Sequence, residues 1–319
     1  MVIKEQSGVK SSTIHGYRGK LRKLAPYIGH NRLKELTPGV LNRAYADLLK
    51  DGTSRVFTRE LHSLIRTILE TAFKEGIIPR NHAKAASPPK KEQTQVKAIS
   101  MSGLNDFFTK VKEQGGTYPD IKDERIYVYG VFYSLLLALG CRIGELSSIS
   151  WNSVDFENCS VEISQHWVAD DKGSHIEIGT KTVAGKRSLY LDSRVMKMLL
   201  EYREFYEKKA NEHGSKWNRE VNALFASPLS PGNYLDPQNA RYWLTDFLKE
   251  NNLPHITPHQ FRHTSISLQL DSGINFVDVS KRAGHARPDV TLSLYAHTMH
   301  NNDIHCCEAV SSAIPTLAN

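Results

Sequence analysis

Cysteine is scarce in this 319-residue sequence. The four present, Cys141, Cys159, Cys306 and Cys307, lack the paired spacing of a structural zinc site and are too few to staple so long a chain, so a reducing compartment suits them. Long hydrophobic runs are missing too. The longest, over residues 128–139, is interrupted by Tyr133 and Ser134 and is far too short to span a bilayer, and no apolar stretch follows Lys4. These absences argue against secretion and membrane insertion, and the expected location is cytoplasmic. The low hydrophobicity of a disordered tail is equally lacking: 40% of the residues are hydrophobic and 24% charged, and the length favours two domains over one.

A large excess of one charge is also absent. Lys and Arg outnumber Asp and Glu by 41 to 34, a net of +7. The surplus is nevertheless local. Residues 1–97 hold 19 basic and 8 acidic side chains, a net of +11, whereas the remaining 222 carry 22 and 26, a net of −4. A basic first third joined to a near-neutral remainder fits a part that meets a polyanion and a part that carries a packed machine. A helical domain with a solvated basic face would account for the charge alone.

No β pattern of any length interrupts the first third. In SSTIHGYRGKLRKLAPYIG, Ile14, Tyr17, Leu21 and Leu24 recur at spacings of three and four behind the capping candidates Ser11, Ser12 and Thr13, which predicts a helix ending near Pro26 and Gly29. Thr37 ahead of Pro38 opens a second helix that ends at Gly52, and a third covers residues 54–76. Arg18, Arg22, Arg43, Arg55, Arg59 and Arg66 ride on these helices, giving a small all-α bundle with a basic face as the economical picture. Pro88 and Pro89, followed by Lys90, Lys91 and Lys97 without apolar anchors, mark a linker. The predicted domains are therefore 1–86 and 99–319, joined by 87–98.

The second domain opens with a helix capped near Ser100, then YVYGVFYSLLLALG, apolar nearly all round and so predicted to be buried and to end at Gly140. A further helix starts in CRIGELSSIS. The segments VDFENCSVEI, HWVAD, HIEIG and RSLYLD alternate like short strands, most simply a three-stranded antiparallel meander. Helices follow over about 194–212, 239–251, 258–273, 278–283 and 289–296, with a last one over 302–312. The class is α+β with helices in the majority, without the strand–helix alternation of a doubly wound sheet.

Several familiar chemistries lack their requirements. His259 and His263 have the spacing of two zinc-bound imidazoles, but Gln260 stands where a general-base glutamate belongs and Arg262 would repel a cation. GTKTVAGKR has no Gly-rich loop between strand and helix, and no acidic cluster suited to two magnesium ions stands out, so neither a metal nor a cofactor is expected. What is present is a set of cationic and donor residues in unusual settings: Arg142 after a buried helix, Lys181 near a strand end, His259 and Arg262 on one helical face, His285 in AGHAR and Tyr295 in LSLYAHT. Singly, each has an ordinary explanation. Arg142 can pair with Glu145, His259 can cap its helix, and Tyr295 stands at helical spacing from Leu292.

Together they carry a resemblance. ALGCRIGELSSISWNSVDF resembles the first arginine box of the tyrosine recombinases, or phage integrases; TKTVAGKRSLYL resembles their lysine-bearing β-hairpin; and TPHQFRHTSISLQLDSGINFVDVSKRAGHARPDVTLSLYAHT resembles their second box up to the nucleophile. The resemblance covers residues 101–297 well and the N-terminal helices more loosely. It implies an all-α, SAM-like core-binding domain ahead of a mainly helical catalytic domain with a small antiparallel sheet. The implied catalytic set is Arg142, Lys181, His259, Arg262, His285 and Tyr295, with Glu145 bracing the site. Two guanidiniums would hold the nonbridging phosphate oxygens, Tyr295 would form a 3′-phosphotyrosyl bond, and Lys181 would protonate the leaving 5′-oxygen. His259 would exchange a proton with the tyrosine hydroxyl and His285 would add a hydrogen bond to the phosphate.

The resemblance further implies double-stranded attachment or core sites as the partner, a homotetramer on synapsed DNA, a directionality factor and a host DNA-bending protein, no membrane, and a nucleoid-associated place in a bacterial host. The TKT…KR form is similar to integrases of temperate phages and integrative conjugative elements, whereas Xer-like dimer resolvases usually carry a Gly-Lys-Gly-rich hairpin. Such integrases commonly have an additional N-terminal arm-binding domain; none is evident here, where the first helix starts within about a dozen residues of Met1. The terminal stretch bearing Ile304, Ala309, Val310 and Ile314 would dock in trans on a neighbouring protomer. A type IB topoisomerase-like enzyme and a noncatalytic DNA-binding regulator are the competing functions.

Overall fold

The computed structural model of the chain describes residues 8–91, 98–171, 173–179 and 186–285. It divides into two compact units, one running to Thr94 and including Ala169–Ser174, the other comprising Gln95–Val168 and the chain from His175 onward.

Three helices make the first unit: α1 (Ser11–Ile28), α2 (Pro38–Lys50) and α3 (Arg55–Lys74). Local signals set the starts of α2 and α3, whereas α1 begins at Ser11 behind Lys10 with no side-chain cap, so none of the candidates Ser11, Ser12 and Thr13 caps it. Thr37 accepts a hydrogen bond from the Val40 N–H at 3.4 Å and Ser54 one from Phe57 at 3.2 Å, satisfying N–H groups that have no partner inside the helix. Leu24, Leu41, Tyr45, Leu48, Leu61, Ile65 and Leu69 form the buried seam between them. The start of the expected linker is tied to this unit, because the Ser87 N–H donates to Asn42 Oδ1 at 2.7 Å and Arg59 Nη1 to the Pro89 carbonyl at 2.6 Å.

The second unit is mainly helical: α4 (Met101–Gly115), α5 (Glu124–Leu139), the single turn α6 (Ile143–Leu146), α7 (Ser193–His213), α8 (Pro237–Glu250), α9 (Pro258–Asp271) and α10 (Phe276–Ala283). As its unpatterned apolarity predicts, α5 is buried on almost every side. Phe107 of α4 lies within 5.9 Å, ring centre to ring centre, of Phe108, Tyr133, Phe247 and Phe261, each edge-on. This aromatic cluster fastens α4, α5, α8 and α9 into one body.

Among the described residues seven short strands accompany the helices. β1 (Gly116–Thr117) and β2 (Asp120–Ile121) pair with each other. β3 (Val154–Asp155), β4 (Ser160–Ile163) and β7 (Arg187–Tyr190) form an antiparallel sheet in the order β3-β4-β7, with Ile163 opposite Arg187. The three-stranded sheet is present, but the simple meander is not. HWVAD and HIEIG fall in β5 (Gln165–Asp170) and β6 (Gly173–Ile178), which pair as a separate hairpin inserted between β4 and β7. Alternation marks strands without saying which neighbours they pair with. Among the described residues no helix is long and apolar enough to cross a membrane. The helices expected over 289–296 and 302–312 lie outside the described residues.

Candidate active site

Gly140 ends α5 with a φ of +60°, and a Cβ there would sit 2.8 Å from Ser265 Oγ, so both conformation and the closeness of α9 call for glycine. The resulting sharp turn delivers Arg142 to the start of α6. Its N–H donates to Glu145 Oε2 at 3.0 Å, its Nη1 to Glu145 Oε1 at 2.7 Å and its Nη2 to the Gly284 carbonyl at 3.3 Å. The ordinary explanation of Arg142, a pair with Glu145, is real, and it aims a guanidinium that remains 41% exposed.

Glu145 is buried. Burial acts to raise its carboxyl, but Arg187, the Arg142 N–H and the Arg142 guanidinium together hold it below the usual carboxylate range. Arg187, whose side chain is only 8% exposed, donates from Nη2 to Glu145 Oε2 at 3.0 Å and from Nε to the Arg282 carbonyl at 2.8 Å. Sequence reading missed this residue; KRSLYL showed it only as the start of a strand. Arg282 in turn donates to the carbonyls of Ala138 at 3.2 Å and Tyr190 at 3.0 Å, tying α10 to the end of α5 and to β7.

The remaining donors come from α9 and the turn after α10. His259 does not cap α9. Thr257 does, with its N–H and hydroxyl donating to Gln260 Oε1 at 2.9 and 3.1 Å, which also gives Gln260 a structural role. Arg262 is only 2% exposed; its Nη1 donates to the Gly140 carbonyl at 2.9 Å, while Nη2 is buried with no hydrogen-bond partner among the described residues. Burial and the Arg142 guanidinium push its pKa down to about 10, which leaves it charged at neutral pH.

Three imidazoles stand around these guanidiniums. His259 and His263 meet edge to face, 4.2 Å between ring centres. Partial burial, then Arg262 and Arg142, hold His259 below the ordinary imidazole value. Burial, with His259, Arg262 and His285 beside it, pushes His263 down to about 4. His285 is likewise lowered to about 4 by burial and by Arg262, Arg142 and Arg187. All three are neutral at pH 7, able to donate one hydrogen bond and accept another.

Arg142, His259 and Arg262 line one cleft of about 530 Å³, with Trp167, Arg241 and His255 on its walls. Those last three also escaped sequence reading, since nothing local marks them. Lys181 and Tyr295 lie outside the described residues. Among the described residues no group of three or more His, Cys, Asp or Glu side chains could hold a metal ion. In the first unit, Arg22, Arg43, Arg55 and Arg66, like Lys90 and Lys91, are exposed, Arg18 pairs with Asp171 of the same unit, and Arg59 is half-buried against Pro89. Arg59 and Arg66 flank His62 on α3.

Two fixed guanidiniums beside neutral imidazoles form a receptor for a phosphate-like oxyanion. The model of the phage integrase family matches residues 110–302. The chain belongs to the phage integrase family. As a phage integrase family member it is an enzyme that exchanges DNA strands by the site-specific tyrosine-recombinase mechanism. A tyrosine recombinase XerC-like protein of Caldanaerobacter subterraneus subsp. tengcongensis is 23% identical over 95% of this chain and 78% of its own. The ICEBs1 integrase of Bacillus subtilis is 20% identical over 88% of this chain and 72% of its own. The phage integrase fold is shared with the integrase of transposon Tn1549, solved with transposon right-end DNA: the TM-score is 0.77 at 18% identity, over 98% of this chain and 97% of that one.

Proposed function

We propose that this phage integrase family enzyme integrates and excises a mobile element, using Tyr295 as nucleophile and Arg142, Lys181, His259, Arg262 and His285 as its catalytic residues. The observation that carries the reading is the buried Nη2 of Arg262, which has no hydrogen-bond partner among the described residues. A buried guanidinium N–H without a partner is costly, and a nonbridging phosphate oxygen would satisfy it. With Arg142 on the same cleft, two planar guanidiniums meet the charge that builds on phosphorus during attack.

The steps balance without an external energy source. The Tyr295 oxygen bonds to phosphorus and loses its proton to His259, while the 5′-oxygen leaves with a proton from Lys181. The 3′-phosphotyrosyl bond keeps the phosphodiester energy, so a 5′-hydroxyl of another strand reverses the reaction. The neutral state of His259 suits it to accept that proton and the neutral state of His285 suits it to donate to a phosphate oxygen. Exchange between two duplexes breaks four strands, which calls for four protomers on paired attachment sites. The domain reading is 1–86 for core binding and 99–319 for catalysis, with 87–98 between them.

The TKT…KR sequence supports an integrase, whereas the XerC-like relative favours a dimer resolvase as the second reading. Nicked suicide duplexes drawn from the DNA flanking the gene and from a chromosomal dimer-resolution site separate the two. An adduct on the flanking sequences, lost in Tyr295→Phe, is expected; an adduct only on the resolution site supports the second reading, and duplex binding without any adduct contradicts both.

A further inference from the structure

We infer that Arg187 is a positioning residue of the strand-transfer centre, holding Arg142 through Glu145 and the turn before His285 through the Arg282 carbonyl. The inference rests on the recombinase reading of Arg142 and His285.

Among the described residues three donors meet the two oxygens of Glu145. Oε1 takes Arg142 Nη1, and Oε2 takes both the Arg142 N–H and Arg187 Nη2. Arg187 Nε meanwhile reaches the Arg282 carbonyl, and Arg142 Nη2 reaches the Gly284 carbonyl two residues further on. The contacts close a circuit, Arg142 to Glu145 to Arg187 to the turn and back to Arg142. Gly284 completes it: its φ is +71°, and a Cβ there would lie 2.6 Å from Arg187 Nη1. Only the forked, planar guanidinium can serve a carboxylate and a carbonyl from two edges at once; an ammonium is a point donor.

The arrangement is hard to explain as stabilisation alone. Three guanidiniums, those of Arg142, Arg187 and Arg262, face one buried carboxylate, and a buried ion pair by itself is weak evidence for stability. Of the two positive charges left over, one is offset by an entering phosphodiester and the other by the second negative charge that builds on phosphorus during attack. Arg187 also stands six residues after Lys181 in sequence, on the strand that continues from the lysine segment. One residue therefore fixes the base of that strand, the first arginine and the approach to His285.

The test uses the full chain with Arg187→Gln, Arg187→Lys, Glu145→Gln and the Arg187→Gln/Glu145→Gln double variant. For each, duplex affinity, the rate of covalent adduct formation on a nicked substrate and the thermal unfolding curve are measured. Duplex affinity should stay within about threefold of wild type while Arg187→Gln slows adduct formation by roughly 100-fold, the scale of an ångström misplacement of a catalytic group. Arg187→Lys should be slowed as well, and the double variant should be no slower than the slower single, because both changes break one circuit. A folded Arg187→Gln or Arg187→Lys protein that cleaves at the wild-type rate would overturn the inference, as would losses that multiply in the double variant. Should Arg187→Gln unfold at the assay temperature, Arg187→Lys decides; unfolding of both assigns Arg187 a purely structural role and overturns it too. Absence of an adduct from wild type that still binds duplex overturns the recombinase reading itself, a result distinct from the others.

Discussion

Arg262 and the imidazoles around it show how burial turns ordinary side chains into a prepared receptor. Arg262 gives one N–H to the Gly140 carbonyl and keeps Nη2 without a partner among the described residues, while His263 and His285 are held at about 4 against an ordinary 6.5. Depressed histidines have a thermodynamic signature. Between about pH 4 and 6.5 the unfolded chain binds protons that the folded chain refuses, so stability without DNA should rise with pH across that window and level off above it. Glu145 acts in the same direction at lower pH, since its depressed carboxyl contributes stability that is lost as pH falls through its folded value. Urea unfolding at pH 5 and pH 7 checks this, and equal or greater stability at pH 5 would count against the neutral imidazoles. Arg142, His259, Arg262 and His285 were legible in the sequence because they sit in contiguous boxes. Arg187 was not, because its partners lie 42 and 95 positions away and its value exists only in the folded circuit.

Among the elements, the aromatic cluster is what holds the site helices at fixed separation. Phe107 touches four rings, and Tyr133 Oη donates to the Ala240 carbonyl at 2.7 Å. Phe107→Ala should therefore cost about 3–5 kcal/mol, whereas Tyr133→Phe, which keeps the ring and loses one hydrogen bond, should cost about 1 kcal/mol. Denaturant titration checks the order, and a Tyr133→Phe loss as large as that of Phe107→Ala would show that the hydroxyl matters more than the packing. Helix starts were readable at this scale, since Thr37, Ser54 and Ser100 each cap by an interaction within three residues. Sheet order was not. The pairing of β4 with β7 skips a whole hairpin, and the two-residue strands β1 and β2 are too short to leave an alternating signal.

Across the molecule, net charge splits into +11 in residues 1–97 and −4 in the rest. The exposed Arg22 and Arg43 belong to the basic part. If they meet the DNA backbone, Arg22→Ala and Arg43→Ala should weaken binding to every duplex alike and each reduce the slope of log affinity against log salt by about 0.9. An unchanged slope would place the phosphate contacts elsewhere. The second part gathers Arg142, Arg241 and Arg262 at one cleft although its net charge is acidic. The central claim is that this cleft presents a phosphodiester to Tyr295, and the most direct measurement is the identity of the covalent bond it leaves. Protease digestion and mass spectrometry of an adduct trapped on a nicked attachment-site duplex should find a 3′-phosphate joined to Tyr295, with a free 5′-hydroxyl on the released strand. Attachment at any other residue, or through a 5′-phosphate, would contradict the account.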